Sequence, residues 1–144
     1  MAPCTRVVDI EATPETIWTY LANLEQWDPD MKAVQDIQGG GMANGGSFLA
    51  QLEALSTRIH FRDVQVNREA KWGGSAAGGC IIFDAFFKLD PLSECQTRFT
   101  YEFQMRGCLG SLIDCLKPRA AIDGVEQGAA NIKSRTEELQ RAAM

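Results

Sequence analysis

Apolar residues near the C-terminus recur at helical spacing from Gly107 to Ala142, and from Ile122 to Leu139 they alternate in steps of three and four except at Thr136. This spacing places them on one face of an α-helix. A helix of about 35 residues is roughly 50 Å long. The pattern therefore predicts one long helix that crosses the domain, with a kink at Pro118. The apolar positions are Leu109, Leu112, Ile113, Leu116, Ile122, Val125, Ala129, Ile132 and Leu139.

Upstream of this stretch, β-rich segments alternate with glycine-rich turns, which predicts seven strands. A first helix is predicted to begin at Pro14 with Thr13 as its N-cap, and a short second helical turn to pass through Met31 and Ala33. A step of three after Phe61 breaks the alternation and predicts a β-bulge near Arg62. The bulge would bring Ile59, Phe61, Val64 and Val66 to one face. The strands are expected at 7–11, 34–38, 47–55, 57–66, 70–74, 80–89 and 95–105.

The clearest pattern lies in two strands joined by residues 90–94. Pairing Ala85 with Phe99 puts an aromatic set of odd-numbered residues on one face and a mixed, charged set on the other. This predicts an antiparallel sheet with one dry and one wet face, and hence an α+β architecture with helices on the dry side. The other expected pairs are Phe83–Tyr101, Ile81–Phe103, Phe87–Thr97, Asp84–Thr100, Lys88–Gln96, Phe86–Arg98 and Ile82–Glu102.

A helix bent at Pro118 cannot lie flat on a curved sheet over its whole length, so the pattern predicts an apolar space beneath its first half. The chain of 144 residues is expected to form a single domain, 1–144. A net charge of −5 argues against binding to nucleic acid or to anionic membrane surfaces. No apolar run is long enough to span a bilayer, and no signal-peptide core is visible.

Five cysteines without tight spacing indicate reduced thiols, and therefore a cytoplasmic location. Cys108 and Cys115 lie seven residues apart, on roughly one face of the predicted helix. No second type of metal ligand accompanies them, so no metal site is predicted. The glycine runs lack the Gly-Lys-Ser/Thr of a phosphate-binding loop, and no cofactor is predicted.

Three motifs resemble the START-like, helix-grip (SRPBCC) superfamily over essentially the full chain. The run Val8–Trp18 resembles its opening, while Trp27-Asp28-Pro29 and Arg106–Gly110 are similar to its later junctions. The most similar branch is the polyketide cyclase/dehydrase and lipid-transport group. The resemblance implies a seven-stranded antiparallel sheet curved around a long C-terminal helix, with two short helices. It also implies an internal cavity for lipids, steroids or polyketides, but no shared catalytic residues.

The candidate ligand-binding residues combine the aromatic face with the front of the long helix. Arg62 would anchor a carboxylate or phosphate if the bulge turned it inward; the alternative is a solvated arginine. His60 should point away from Phe61, to the surface or rim. Tyr101 brings a hydroxyl to the aromatic face. The full set is Phe61, Arg62, Trp72, Phe83, Phe87, Phe99, Tyr101, Phe103, Leu112 and Leu116.

Three functions remain open from the sequence. The favoured hypothesis is a carrier or sensor for a small hydrophobic ligand (a lipid, polyketide or isoprenoid-like molecule), acting as a monomer or weak homodimer. The second is a polyketide cyclase/aromatase-like or dehydratase-like enzyme using Tyr101, Arg62 or His60, which requires that two of them converge on the cavity. The third is an interaction protein with an incidental cavity, which an exposed apolar patch would favour.

Overall fold

The computed structural model of the protein describes residues 4–24, 31–52, 55–109, 116 and 119–143. Within these ranges the chain forms one seven-stranded antiparallel sheet and two α-helices. The strand order is β1-β7-β6-β5-β4-β3-β2. The elements are β1 (Cys4–Ile10), α1 (Pro14–Ala22), β2 (Met31–Gln38), β3 (Ser47–Leu52), β4 (Leu55–Gln65), β5 (Glu69–Ala76), β6 (Ile81–Ser93), β7 (Gln96–Arg106) and α2 (Ala120–Ala143).

Helix α1 begins as its sequence predicts. The side chain of Thr13 caps the helix by accepting a hydrogen bond from the backbone N–H of Thr16 at 3.2 Å. Pro14 occupies the first turn, where its missing N–H costs nothing. The expected helical turn through Met31 and Ala33 is wrong, because both residues belong to strand β2.

Strands β6 and β7 pair in a register four residues away from the expected one. Ala85 lies opposite Phe103, and Phe99 lies opposite Leu89. The prediction placed the turn at 90–94, but β6 continues to Ser93 and the chain reverses over the next two residues. A shift by an even number leaves each residue on its predicted face, because side chains alternate with a period of two.

The bulge in β4 is confirmed, although its effect differs from the prediction. The β4–β5 register shifts between Arg62 and Gln65, and Asp63 has a φ of 49°. Ile59 and Phe61 are buried as expected, and Val64 packs on the core. Val66 is 68% exposed because β4 has already ended and the chain is turning there.

The predicted single helix from Gly107 to Ala142 is wrong in its extent. Arg119 lies in a turn, and α2 begins at Ala120. Its 24 residues span about 36 Å. Its buried stripe of Val125, Ala129, Ile132 and Thr136 follows the predicted three-and-four spacing. Pro118 and its predicted kink lie outside the described residues, as do the Trp27-Asp28-Pro29 motif, Leu112, Ile113 and Cys115.

Helix α2 packs against β1, β7 and α1. The core lies between these helices and the inner face of the sheet. The opposite, outer face carries most of the ion pairs and is open to solvent. The fold therefore gives the molecule one apolar face that is partly covered by helices.

Candidate ligand-binding site

Aromatic rings from β4 to β7 form a connected cluster on the inner face. The ring of Phe87 contacts Tyr101 edge-on at a centroid distance of 5.0 Å and Trp72 at 5.7 Å. Phe83 stacks on Phe103 at 6.3 Å. These geometries add to the stabilisation from burial alone. The cluster is a rigid apolar wall that the strand alternation of β5, β6 and β7 positions.

Exposure changes along β7 from one end of this wall to the other. Phe99 is 0% exposed, whereas Tyr101, Phe103 and Met105 are only partly buried although they pack on the core. We call the part around Phe99 the closed end and the part from Phe103 to Leu109 the open end. Partly exposed apolar side chains at the open end leave surface that a ligand would bury with a gain of about 25 cal/mol per Å².

The closed end is held by polar contacts between α2 and the segment that joins β1 to α1. The Lys133 ammonium donates to the carbonyl oxygen of Asp9 at 2.6 Å. The Glu137 carboxylate accepts from the backbone N–H of Glu11 at 2.9 Å. The Gln140 side-chain oxygen accepts from the backbone N–H of Thr13 at 3.0 Å. Because Ile10 pairs with Thr97 at the start of β7, these contacts lie beside the buried part of the aromatic wall.

Glu137 is ionised more readily than an ordinary glutamate. Burial opposes the charge, but the hydrogen bond from Glu11 and the ammonium of Lys133 at 3.1 Å outweigh that cost and lower the pKa of Glu137. The carboxylate is therefore charged at neutral pH and binds both partners. The closed end of the aromatic wall is therefore held by charge-assisted hydrogen bonds as well as by packing.

Helix α2 lies close to the wall at Gly128. A Cβ added there would lie 3.1 Å from Cε2 of Tyr101, tighter than an ordinary contact. A glycine inside a helix costs about 1 kcal/mol relative to alanine. Glycine fits this position because the absence of a side chain lets the Tyr101 ring lie against the helix backbone. Gly128 thus sets the width of the groove between α2 and β7.

Buried hydroxyls of the core are already hydrogen-bonded. Thr57 donates to the carbonyl oxygen of Ser75 at 2.7 Å, Thr97 to that of Ala12 at 2.8 Å, and Thr136 to that of Ile132 at 2.6 Å. Satisfied hydroxyls gain little from a ligand. These three groups therefore offer a ligand no strong polar contact.

The structure brings the predicted aromatic residues together and separates them from the predicted arginine. Phe61, Trp72, Phe83, Phe87 and Phe99 are buried on the inner face, and Tyr101 and Phe103 are half-buried beside them. Leu112 lies outside the described residues. Leu116 is 72% exposed, so its expected burial against the wall is wrong. Arg119 lies in a turn immediately before α2, and Leu109, like Leu116, is exposed.

Arg62 lies on the outer face, so the solvated arginine is the correct alternative for this residue, and its place in the predicted ligand-binding set is wrong. Its side chain is 63% exposed and its guanidinium is 3.5 Å from Asp84. The register shift follows Arg62, which still pairs with Lys71 and keeps the alternation set by buried Phe61. His60 is exposed on the same face, as predicted. The enzyme hypothesis needed two of three polar groups to converge, but His60 and Arg62 are separated from Tyr101 by the sheet.

The outer face has shallow grooves of its own where β5 carries glycines. One, with a volume of about 450 Å³, is lined by Arg58, His60, Arg62, Gly73 and Asp84 among others. The next, of about 280 Å³, includes Phe86. Arg106 neutralises Asp84 through hydrogen bonds of 2.7 and 3.1 Å. The charges at Asp84 are therefore paired within the protein.

Sequence reasoning missed Phe48, Met105 and Gly128. Phe48 is wholly buried and stacks on Phe61 at 5.9 Å. The alternation of β3, in which Phe48 and Ala50 are both buried, was a usable signal. Gly128 also had a signal, because a glycine in the middle of a predicted helix suggests a close packing contact.

The sequence profile of the family described as polyketide cyclase/dehydrase and lipid transport matches residues 1–137. The chain belongs to this family. The family and the helix-grip fold support a role in binding hydrophobic ligands. No curated protein matches the chain in sequence.

Solved structures show the same fold across distant sequences. A conserved protein from Geobacillus kaustophilus is 15% identical, with a TM-score of 0.73 over 95% of this chain and 96% of that one. A hypothetical protein from Helicobacter pylori is 10% identical, with a TM-score of 0.77 and coverages of 94% and 88%. Norcoclaurine synthase from Thalictrum flavum, solved with dopamine and hydroxybenzaldehyde, is 12% identical, with a TM-score of 0.69 and coverages of 95% and 87%. At these identities the likeness concerns the fold alone.

None of the helices in the described residues is both long and apolar enough to cross a bilayer. Among the same residues, no three histidine, cysteine, aspartate or glutamate side chains come together as a set that could hold a metal ion.

Proposed function

We propose that the protein is a carrier or sensor that binds a small apolar molecule of the lipid, polyketide or isoprenoid-like class, between the inner face of the sheet and the C-terminal helical region. The observation that carries this proposal is the exposure gradient along β7, from wholly buried Phe99 to half-buried Phe103. A family member with an apolar wall that is closed at one end and open at the other has a place for such a ligand.

The energetics favour binding without any charged contact. A ligand that buries about 300 Å² of apolar surface gains roughly 7 kcal/mol before the costs of association. The buried hydroxyls of Thr57, Thr97 and Thr136 are already satisfied. The ligand we expect is therefore mostly hydrocarbon, with its polar end near the rim. The proposal includes a cytoplasmic location, which the free thiols of the described cysteines support.

The test compares one aromatic residue on each face of the sheet. N-phenyl-1-naphthylamine, a neutral apolar probe, should fluoresce on binding to the delipidated protein. The variant Phe103→Ala should weaken its binding about tenfold, equivalent to about 1.4 kcal/mol. The matched control is Phe86→Ala, because Phe86 is half-buried on the outer face between Lys71 and Glu102. The control should bind the probe as the wild type does.

A second measurement searches for the natural ligand. Native mass spectrometry of the freshly purified protein, followed by organic extraction, should show a co-purified apolar molecule that the probe displaces. Probe binding that is equally affected by the Phe86 and Phe103 variants, or that is lost in neither, would contradict the proposal.

A further inference from the structure

Two cysteines meet where the last strand leaves the sheet. The β6–β7 pairing ends with Ile82 opposite Arg106, and Cys80 and Cys108 each lie two residues beyond this last pair. The backbone N–H of Leu109 donates to the carbonyl oxygen of Cys80 at 2.9 Å. A Cβ at Gly107 would lie only 2.5 Å from that oxygen. The two segments are therefore in direct backbone contact on both sides of Cys108.

The two thiols also interact with each other. The nearby Cys108 side chain raises the pKa of the Cys80 thiol above its ordinary value. Cys108 is exposed and Cys80 is half-buried, and both are free thiols. In such a pair the exposed sulfur meets an oxidant first, and the neighbouring thiol is in place to react with the product.

The backbone around the pair allows the small adjustment that a disulfide needs. A disulfide needs the two Cβ atoms to lie about 3.5–4.5 Å apart. Gly78 and Gly79 precede Cys80, and Gly107 precedes Cys108, all with positive φ. Glycine changes conformation there without the steric cost of a side chain.

We propose that Cys80 and Cys108 are a redox modification site that forms a reversible disulfide, with a peroxide as the oxidant. The Cys108 thiol releases its proton and the thiolate attacks the peroxide, so that an S–O bond forms as the O–O bond breaks. A sulfenic acid results, and the leaving hydroxide takes up the proton released by the thiol to become water. The Cys80 sulfur then attacks the sulfenic sulfur, and the leaving hydroxide takes up a proton to become a second water. Overall, two thiols are oxidised to one disulfide, and one hydrogen peroxide is reduced to two waters.

The bond would connect the residue before β6 to the second residue after β7. This position lies at the open end of the aromatic wall, immediately before Leu109. The disulfide would fix the strand-to-helix connection at the end of the groove that lacks the polar anchors found at Lys133 and Glu137. The other described cysteines lie elsewhere: Cys4 begins β1 and Cys95 is in the turn between β6 and β7.

The experiment treats the reduced full-length protein with equimolar hydrogen peroxide, blocks the remaining thiols and maps the peptides by mass spectrometry. The wild type should fall from five free thiols to three, and its Cys80 and Cys108 peptides should be linked. Dithiothreitol should restore all five. The variant Cys108→Ser should keep its four thiols. The matched control Cys95→Ser, which retains the pair, should fall from four to two.

Several results would overturn the assignment. A linked peptide that joins either cysteine to a different one would show that another pair reacts. Oxidation of Cys108 to sulfinic acid without a link would show that Cys80 does not reach it. Equal thiol loss in Cys108→Ser and wild type would exclude Cys108 from the reaction. None of these readouts depends on ligand binding, so they are separate from the test of the proposed function.

Discussion

The two ends of the aromatic wall are built from the same strand but differ in how α2 holds them. At the closed end, Phe99 is wholly buried, and Lys133, Glu137 and Gln140 connect the helix to the β1–α1 segment. At the open end, Phe103 stays half-buried. Next to this end, α2 contacts β7 where Gly128 lies against the Tyr101 ring. We infer that the closed end contributes stability to the fold, whereas the open end leaves room for a ligand.

The largest expected effect comes from truncating a ring at each end. Phe99→Ala should lower the free energy of unfolding by about 3–5 kcal/mol, because it removes a wholly buried ring that contacts Phe87 and Tyr101. Phe103→Ala should cost less than half as much, because its ring already meets solvent. Urea unfolding followed by circular dichroism measures both. Equal losses would show that the two ends are packed alike.

A smaller effect is expected from the charge that anchors the closed end. Glu137→Gln keeps an acceptor for Glu11 but loses the charge that binds Lys133, and should lower the free energy of unfolding by about 1–2 kcal/mol at pH 7. The matched control is Glu138→Gln, since Glu138 is exposed on the same helix and should tolerate the change. If Glu137→Gln were as stable as Glu138→Gln, the charge of Glu137 would not stabilise the closed end.

The same carboxylate makes a prediction about pH. Folding lowers the pKa of Glu137 below its ordinary value of 4.5, so the unfolded chain binds the proton more tightly. The stabilisation from Glu137 is therefore present above pH 4.5 and is lost as the pH falls through the folded-state pKa. Urea midpoints between pH 7 and pH 3 should fall less steeply for Glu137→Gln than for the wild type. Parallel profiles would mean that other carboxylates account for the acid sensitivity.

The smallest effect comes from two glycines one helical turn apart in α2. Gly124→Ala should stabilise the protein by about 0.5–1 kcal/mol, because its Cβ would meet open space and alanine favours the helix. Gly128→Ala should lose most of that gain, because its Cβ would press on the Tyr101 ring. Thermal unfolding of the two variants gives the difference. Equal stabilisation would mean that the ring yields freely and does not set the width of the groove.

Much of the fold was predictable because its signals are local. Thr13 and Pro14 indicated the start of α1, and the odd–even alternation from Ile81 to Leu89 indicated which side chains face inward. The register of β6 and β7 was not predictable in the same way. It depends on where the hairpin turns, and Pro91 was taken as part of the turn, whereas β6 continues past it with a register shift before Ser93. The predicted inward and outward faces of β6 and β7 are correct despite this error, because the register differs by an even number of residues.

The candidate site was predicted less well than the fold. The aromatic wall could be assigned from alternation, but Arg62 and Leu116 could not. The face on which Arg62 lies depended on whether the bulge begins before or after this residue. The exposure of Leu116 depended on whether one helix continues through Arg119. Both questions are settled by contacts with distant segments, and periodicity along the chain carries no information about them.

The sequence by itself determined that this protein has an aromatic sheet face and an amphipathic C-terminal helix. Side chains repeat every 2 residues on one face of a strand and every 3.6 residues on one face of a helix, so residues close together in the chain show both patterns. Only the tertiary structure decided where the two meet. The anchoring of α2 by Glu11 and Asp9, the contact of Gly128 with Tyr101 and the meeting of Cys80 with Cys108 all join residues far apart in the chain. Such pairings follow from packing the whole core at once, and no local pattern specifies them.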